Sequence, residues 1–144
     1  MTVEMVDPTG RIVVELREAA ADWPAPLTNY RIAPGELAGT DVPKDGSAPL
    51  AIVVRRAPTL RFRRLPLARF DYRLDCYHPD ARIAAQIAGL ASDALHDRGP
   101  RVASGIGIFA SYDAGGSGGL VEPDTKWPVE RVLVRLTVAA QAIA

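Results

Sequence analysis

The chain has 144 residues, a formal net charge of zero and a single cysteine. That length fits one domain, 1–144, and suffices to build a core without covalent staples. One cysteine excludes an intramolecular disulfide framework, and zero net charge gives no whole-domain attraction to nucleic acid or to an anionic membrane.

The first ten residues, MTVEMVDPTG, hold no basic segment followed by an apolar run, and no stretch approaches the ~18–20 apolar residues that span a bilayer. The expectation is a soluble protein made in the cytoplasm, with no membrane partner. Lys44 and Lys126 are the only lysines, and every other basic residue is arginine. A GC-rich coding sequence accounts for such a bias, and arginine's planar fork also suits interface ion pairs.

The first element is a helix within DPTGRIVVELREAAADWP. Asp7 is placed to cap it and Pro8 fits its first position. Ile12, Val13, Leu16, Ala19 and Ala20 recur at helical spacing, and Pro24 stops the run. TNYRIAP, residues 28–34, reads as a short strand. Residues 34–49, rich in Gly, Pro, Asp and Ser, read as loop. LAIVVRR, 50–56, is apolar on both faces, as a central strand is. Residues 57–66 read as a second loop or a ragged hairpin.

LARFDYRLDCY alternates: Phe70, Tyr72, Leu74 and Cys76 share one face, and Asp71, Arg73, Asp75 and Tyr77 the other. It predicts a half-buried strand with Asp75 and Tyr77 pointing outward. HPDARIAAQIAGLASDALHDRG predicts the longest helix. Its stripe is Ile83, Ile87, Leu90, Ala91, Ala94 and Leu95, with Pro79 and Asp80 at its start and Gly99 past its end. RVASGIGIFAS predicts one strand, with Gly105 and Gly107 inviting a bulge. Residues 112–128 read as a third long loop, with DAGGSGGL as a flexible hairpin tip. VERVLVRLTVAA closes the chain as a strand, with Val132, Val134, Leu136 and Val138 on one face and Arg131, Arg135 and Thr137 on the other. The sum is an α+β two-layer sandwich: a mostly antiparallel four- to five-stranded sheet with two helices on one face.

The stretch DCYHP, 75–79, combines an acid, a thiol, a phenol and an imidazole. A metal site there would need His78, Cys76, Asp75 and His96. Alternation sends Asp75 and Cys76 to opposite faces, and the two histidines sit 18 residues apart on one helix, roughly 27 Å. Cys76, in register with Phe70, Tyr72 and Leu74, reads as a small buried hydrophobe rather than a nucleophile, and His78 is expected to face solvent. DAGGSGGL lacks the Lys-Ser or Lys-Thr and the following helix that a phosphate loop requires. No H-E-x-x-H or paired-acid motif appears. The expectation is therefore no enzyme, with no catalytic, metal or cofactor-binding residue. The cluster Arg55, Arg56, Arg61, Arg63, Arg64 and Arg69 around Phe62 suits ion pairs with a neighbouring subunit. A solvated face and a nucleic-acid patch are its other readings. Long loops with apolar anchors at Leu37, Phe62, Leu120 and Trp127 suit a subunit that orders on its neighbours.

RIVVELREAA, APLAIVVRRA, RFDYRLDCYHPDARIAAQIAGLASDAL and GGLVEPDTKWPVERVLVRLTV follow one another in the order of opening helix, core strand, strand–corner–helix, and loop with last strand. As that ordered set, over most of its length, the chain resembles the tail terminator, or tail completion, proteins of long-tailed bacteriophages. The resemblance implies a two-layer fold that assembles as a homo-oligomeric, six-membered ring at the head–tail junction of the virion. Such a ring caps the completed tail tube on the major tail tube protein and ends its polymerisation. It also joins the tail to the head-side connector or stopper protein. Genomic DNA passes through its lumen unread, and no cofactor is implied. Candidate subunit or tube contacts are Arg55, Arg56, Arg61, Phe62, Arg63, Arg64, Tyr112, Leu120, Trp127, Arg131 and Arg135. The alternatives are a head-closure or head–tail adaptor neck protein, a small nucleic-acid-binding protein, and a small enzyme using Cys76 or an acid pair.

Overall fold

The computed structural model describes residues 2–4, 8–24, 30–37, 39–57, 60–61, 67–95, 101–103, 106–139 and 141–143. In chain order the elements are β1 (Thr2–Glu4), α1 (Thr9–Ala20), β2 (Arg31–Pro34), a 3-10 turn (Gly39–Asp41), β3 (Ala51–Arg56), β4 (Leu60–Arg61) and β5 (Leu67–Tyr77). They continue with α2 (Ala81–Leu95), β6 (Arg101–Ala103), β7 (Ile106–Val121), β8 (Pro128–Ala139) and β9 (Gln141–Ile143).

Five principal strands form an open sheet in the order β2-β3-β5-β8-β7, with short β6 beyond β7 and short β4 paired to the start of β5. The class is α+β, as the periodicities indicate. The sheet is mixed, because β2 runs parallel to β3 while the other pairs are antiparallel. Residues 35–50 separate the two parallel strands, and a link of a dozen or more residues is what a parallel crossover needs. β1 and β9 pair with each other in a separate two-stranded ribbon.

Both helices cover one sheet face. Ile12 and Leu16 of α1 and Ile87, Ala91 and Leu95 of α2 join Ile32, Ile52, Val54, Phe70, Tyr72, Leu74, Cys76, Val132, Val134 and Leu136 in one buried cluster. Trp23, just past α1, packs into the same cluster. The two-residue period of the strands makes this layer possible, since even-numbered positions of β3, β5 and β8 all point the same way. α2 is capped by Asp80, whose Oδ1 accepts the Arg82 N–H at 2.9 Å. α1 begins at Thr9, so Pro8 sits one place before the helix and its carbonyl accepts the Ile12 N–H at 3.1 Å. Asp7 and Gly99, read as caps, lie outside the described residues.

Two expectations about the second half of the chain are corrected. Residues 101–111 are not one strand: β6 ends at Ala103, and β7 returns antiparallel from Ile106 with Ala103 opposite it. The glycine-rich stretch is not a hairpin tip either, because β7 runs through Gly115, Gly118 and Gly119 to Val121, and the turn to β8 begins only at Glu122. Its pairing with β8 shifts register three times, between Ile108 and Ala110, Asp113 and Gly115, and Gly115 and Gly118. Glycines in a strand relax the constraints that keep a ladder regular, so the stretch becomes bulged strand rather than loop. The third long loop thereby shrinks to the short turn before Pro128.

Core position decides energetic weight. Leu136→Ala, at a fully buried site facing the helices, is expected to cost about 2–5 kcal/mol. Leu133→Ala on the same strand, where 39% of the side chain is exposed, is expected to cost under about 1 kcal/mol. Urea unfolding of the two variants checks the contrast.

Candidate interaction surface

The sheet face away from the helices is built from the odd-numbered positions of β3, β5 and β8. Register places Asp75 between Val53 and Arg131, Arg73 between Arg55 and Leu133, and Asp71 beside Arg135. Alternation in each strand aims these side chains to one side, and pairing lines them up in rows across the sheet.

Asp75 is the centre of this face. It is only 2% exposed, although alternation alone would leave it in solvent. Three arginines cover it: Arg131 Nε donates to Oδ1 at 2.8 Å, and Arg55 Nε and Arg73 Nε each lie 3.5 Å from Oδ2. Asp71 forms a second node, accepting from Arg135 Nε at 2.8 Å with Arg69 Nε at 3.7 Å. Five arginines thus face two aspartates. The Nε atoms of Arg55, Arg69 and Arg73 are buried and make no hydrogen bond among the described residues.

One end of the face is apolar. Val53, Tyr77 and Val129 form a small buried cluster with Leu37 and Trp127 packed on it. The expectation that Tyr77 points into solvent is therefore corrected along with that for Asp75: both lie on the outer face, and both are covered. Trp127 Nε1 donates to the Gly46 carbonyl at 3.0 Å, tying the β7–β8 turn to the loop after β2. Burial raises the Tyr77 phenol above its ordinary pKa, and the Asp75 carboxylate adds to that.

The DCYHP corner is structural in every contact it shows. The Tyr30 hydroxyl donates to the Tyr77 carbonyl at 2.8 Å, and the Tyr30 and His78 rings stack at 6.3 Å with 12° between their planes. His78 Nδ1 accepts the Asp80 N–H at 2.8 Å, so the imidazole is half-buried and engaged rather than turned to solvent. Cys76 is fully buried. Burial pushes its thiol up, and the Asp75 and Glu130 carboxylates push it further. A thiol held neutral is a poor nucleophile.

Of the residues singled out in the sequence, Arg55, Arg131 and Arg135 come together on this face. Arg56 lies exposed at the end of β3 beside them, and Arg61 lies in β4. Tyr112 stands opposite Arg135 in the β7–β8 ladder. Leu120 is an exposed strand residue and Trp127 an internal anchor. Phe62, Arg63 and Arg64 lie outside the described residues. The sequence reading passed over Arg73, Asp71 and Asp75 as interaction residues, although R-x-D-x-R-x-D in β5 carries a visible signal for them. What the surface offers chemically is binding: guanidinium donors in fixed rows, with an apolar margin. No protein-family model matches the chain, and no curated protein matches it.

Two outcomes follow. Asp75→Asn leaves three guanidiniums crowded without their buried counter-charge and is expected to destabilise the fold by about 3–5 kcal/mol, read from urea midpoints. The raised thiol favours the folded state while it is neutral, so its contribution is full below the ordinary thiol pKa. That contribution is lost as pH climbs past about 9. Stability is expected to fall on that alkaline limb, with Cys76→Ala flattening the thiol part, and Cys76 is expected to react with thiol reagents only after unfolding.

Proposed function

We propose that the chain is a structural subunit of a phage tail-terminator ring, which caps the finished tail tube, ends its polymerisation and joins it to the head-side connector. The observation that carries this reading is the open sheet face. It has patterned arginine and aspartate rows and an apolar margin, and it lies on a fold whose strand β5 turns through the 78–80 corner into alanine-rich α2. A face of this kind suits contacts between proteins. The element order is that of the resemblance drawn from the sequence, and the charge balance of the chain is neutral rather than basic.

A small nucleic-acid-binding protein is the second reading, favoured by the excess of arginine over aspartate on the face. The interspersed carboxylates weigh against it, since a phosphate backbone is uniformly negative. Electron microscopy of virions labelled on this chain is expected to place it at the head–tail junction, and added protein is expected to halt elongation of tail tubes in vitro. Label on the capsid side of the junction, with no effect on tubes, would favour a head-closure role. Label at the tail tip, or affinity for DNA falling steeply with salt in a chain that ignores tubes, would sink the terminator reading.

A further inference from the structure

Five large apolar side chains are exposed among the described residues: Val14, Leu50, Leu120, Val121 and Leu133. Leu120 and Val121 adjoin at the end of β7, and the acids Glu122 and Asp124 follow them in the turn. Leu133 lies on the open face, where it lines a groove of about 440 Å³ with Arg55, Arg56, Ala57 and Arg73. One patch is apolar and acidic. The other is apolar and basic.

The acidic tip holds its own shape. Glu122 N–H donates to the Trp127 carbonyl at 2.9 Å and Lys126 N–H to the Glu122 carbonyl at 2.8 Å. Glu122 Oε2 accepts the Thr125 N–H at 2.7 Å and also the Thr125 hydroxyl. Lys126 takes the left-handed conformation, φ 63°, that closes the turn. These bonds hold the Glu122 carboxyl below its ordinary range. A preformed tip loses little freedom on docking.

The tip does not reach the groove of its own chain. Val121 pairs with Pro128, and Leu133 lies five residues further along β8, roughly 16 Å away. The two patches can meet only between molecules.

We propose that the 120–124 tip of one copy docks in the Arg55–Arg73–Leu133 groove of a second copy. The contact is heterologous and head to tail. It rests on the ring reading above and names the surface that joins neighbouring subunits. Val121 covers Leu133, and the Glu122 and Asp124 carboxylates meet the outer edges of the Arg55 and Arg73 guanidiniums, whose side chains are 29% and 36% exposed while their buried Nε atoms face Asp75. Two unlike halves repeat in one direction and close into a ring when the rotation between copies allows.

Sedimentation velocity and native mass spectrometry on three proteins test the contact: wild type, the tip variant Val121→Ser/Asp124→Arg, and the groove variant Leu133→Glu. All substitutions fall on exposed positions and keep Asp75 and its arginines in the sequence, and thermal melts confirm folding. Wild type is expected to self-associate with concentration, and each variant alone on the order of tenfold or more weakly. An equal mixture of the variants keeps one good tip and one good groove, so it is expected to form 1:1 complexes and nothing larger. Wild-type rings that persist unchanged in either variant overturn the contact and leave the ring reading standing. A mixture without 1:1 complexes overturns it as well. A wild type that stays monomeric also overturns it, and microscopy of the head–tail junction then decides the ring reading separately. Equal binding of wild type and tip variant to duplex DNA or to an acidic peptide, without self-association, reassigns the groove to that ligand.

Discussion

The register between β5 and β8 is the constraint on which the other features rest. Eleven consecutive residue pairs are fixed, from Leu67 opposite Ala139 to Tyr77 opposite Val129. On one side that register stacks Phe70 on Leu136, Tyr72 on Val134 and Leu74 on Val132, which is the floor on which both helices sit. On the other side it sets Asp71 against Arg135 and Asp75 against Arg131. A slip of one residue would bury the charged set and expose the apolar one. Hydrophobic burial and ion pairing therefore select the same alignment, and agreement between levels is what makes a fold specific.

The two faces contribute differently. The helix-covered face supplies most of the favourable free energy, at about 1.5–3 kcal/mol for each fully buried large side chain. The charged face adds less, because desolvating Asp75 and its arginines offsets much of their attraction. Its weight lies in geometry. Three guanidiniums converging on one buried carboxylate hold their planes and stems in place, so the surface they present is ordered before anything binds to it. Such preorganisation lowers the entropy cost of association.

Local periodicity made the helix-covered face legible in the sequence. The alternation of 67–77, the centre of the α2 stripe at Ile87, Ala91 and Leu95, and the last strand read correctly because each depends only on neighbours along the chain; the buried side of α2 is turned toward Ala84 and Ala88, leaving Ile83, Leu90 and Ala94 partly buried at its margin. Three features depended on distant partners and were not legible. The parallel direction of β2 follows from which strand it joins, and nothing in RIAP encodes that. The strand through Gly115–Gly119 contradicts the propensity of its glycines, and only the β8 ladder holds it extended. The burial of Asp75 required Arg55 and Arg131, 20 and 56 positions away, to arrive over it. The arginine cluster and the resemblance mark Arg55, Arg131 and Arg135 as contact residues, with no partner for any of them. Their convergence on two aspartates of a single strand is a product of register.

The small ribbon of β1 and β9 sets residue 2 beside residue 143. Any further chain attached at either end must start from this one spot on the molecule. A fluorophore, tag or fused domain at one end therefore reports the same location as its counterpart at the other. In a circular assembly every such addition falls at the same azimuth of its subunit and projects in a repeating crown. A short peptide would suffice to join the ends, and the chain could then be opened at the β6–β7 or β7–β8 connection with the register of the central strands untouched.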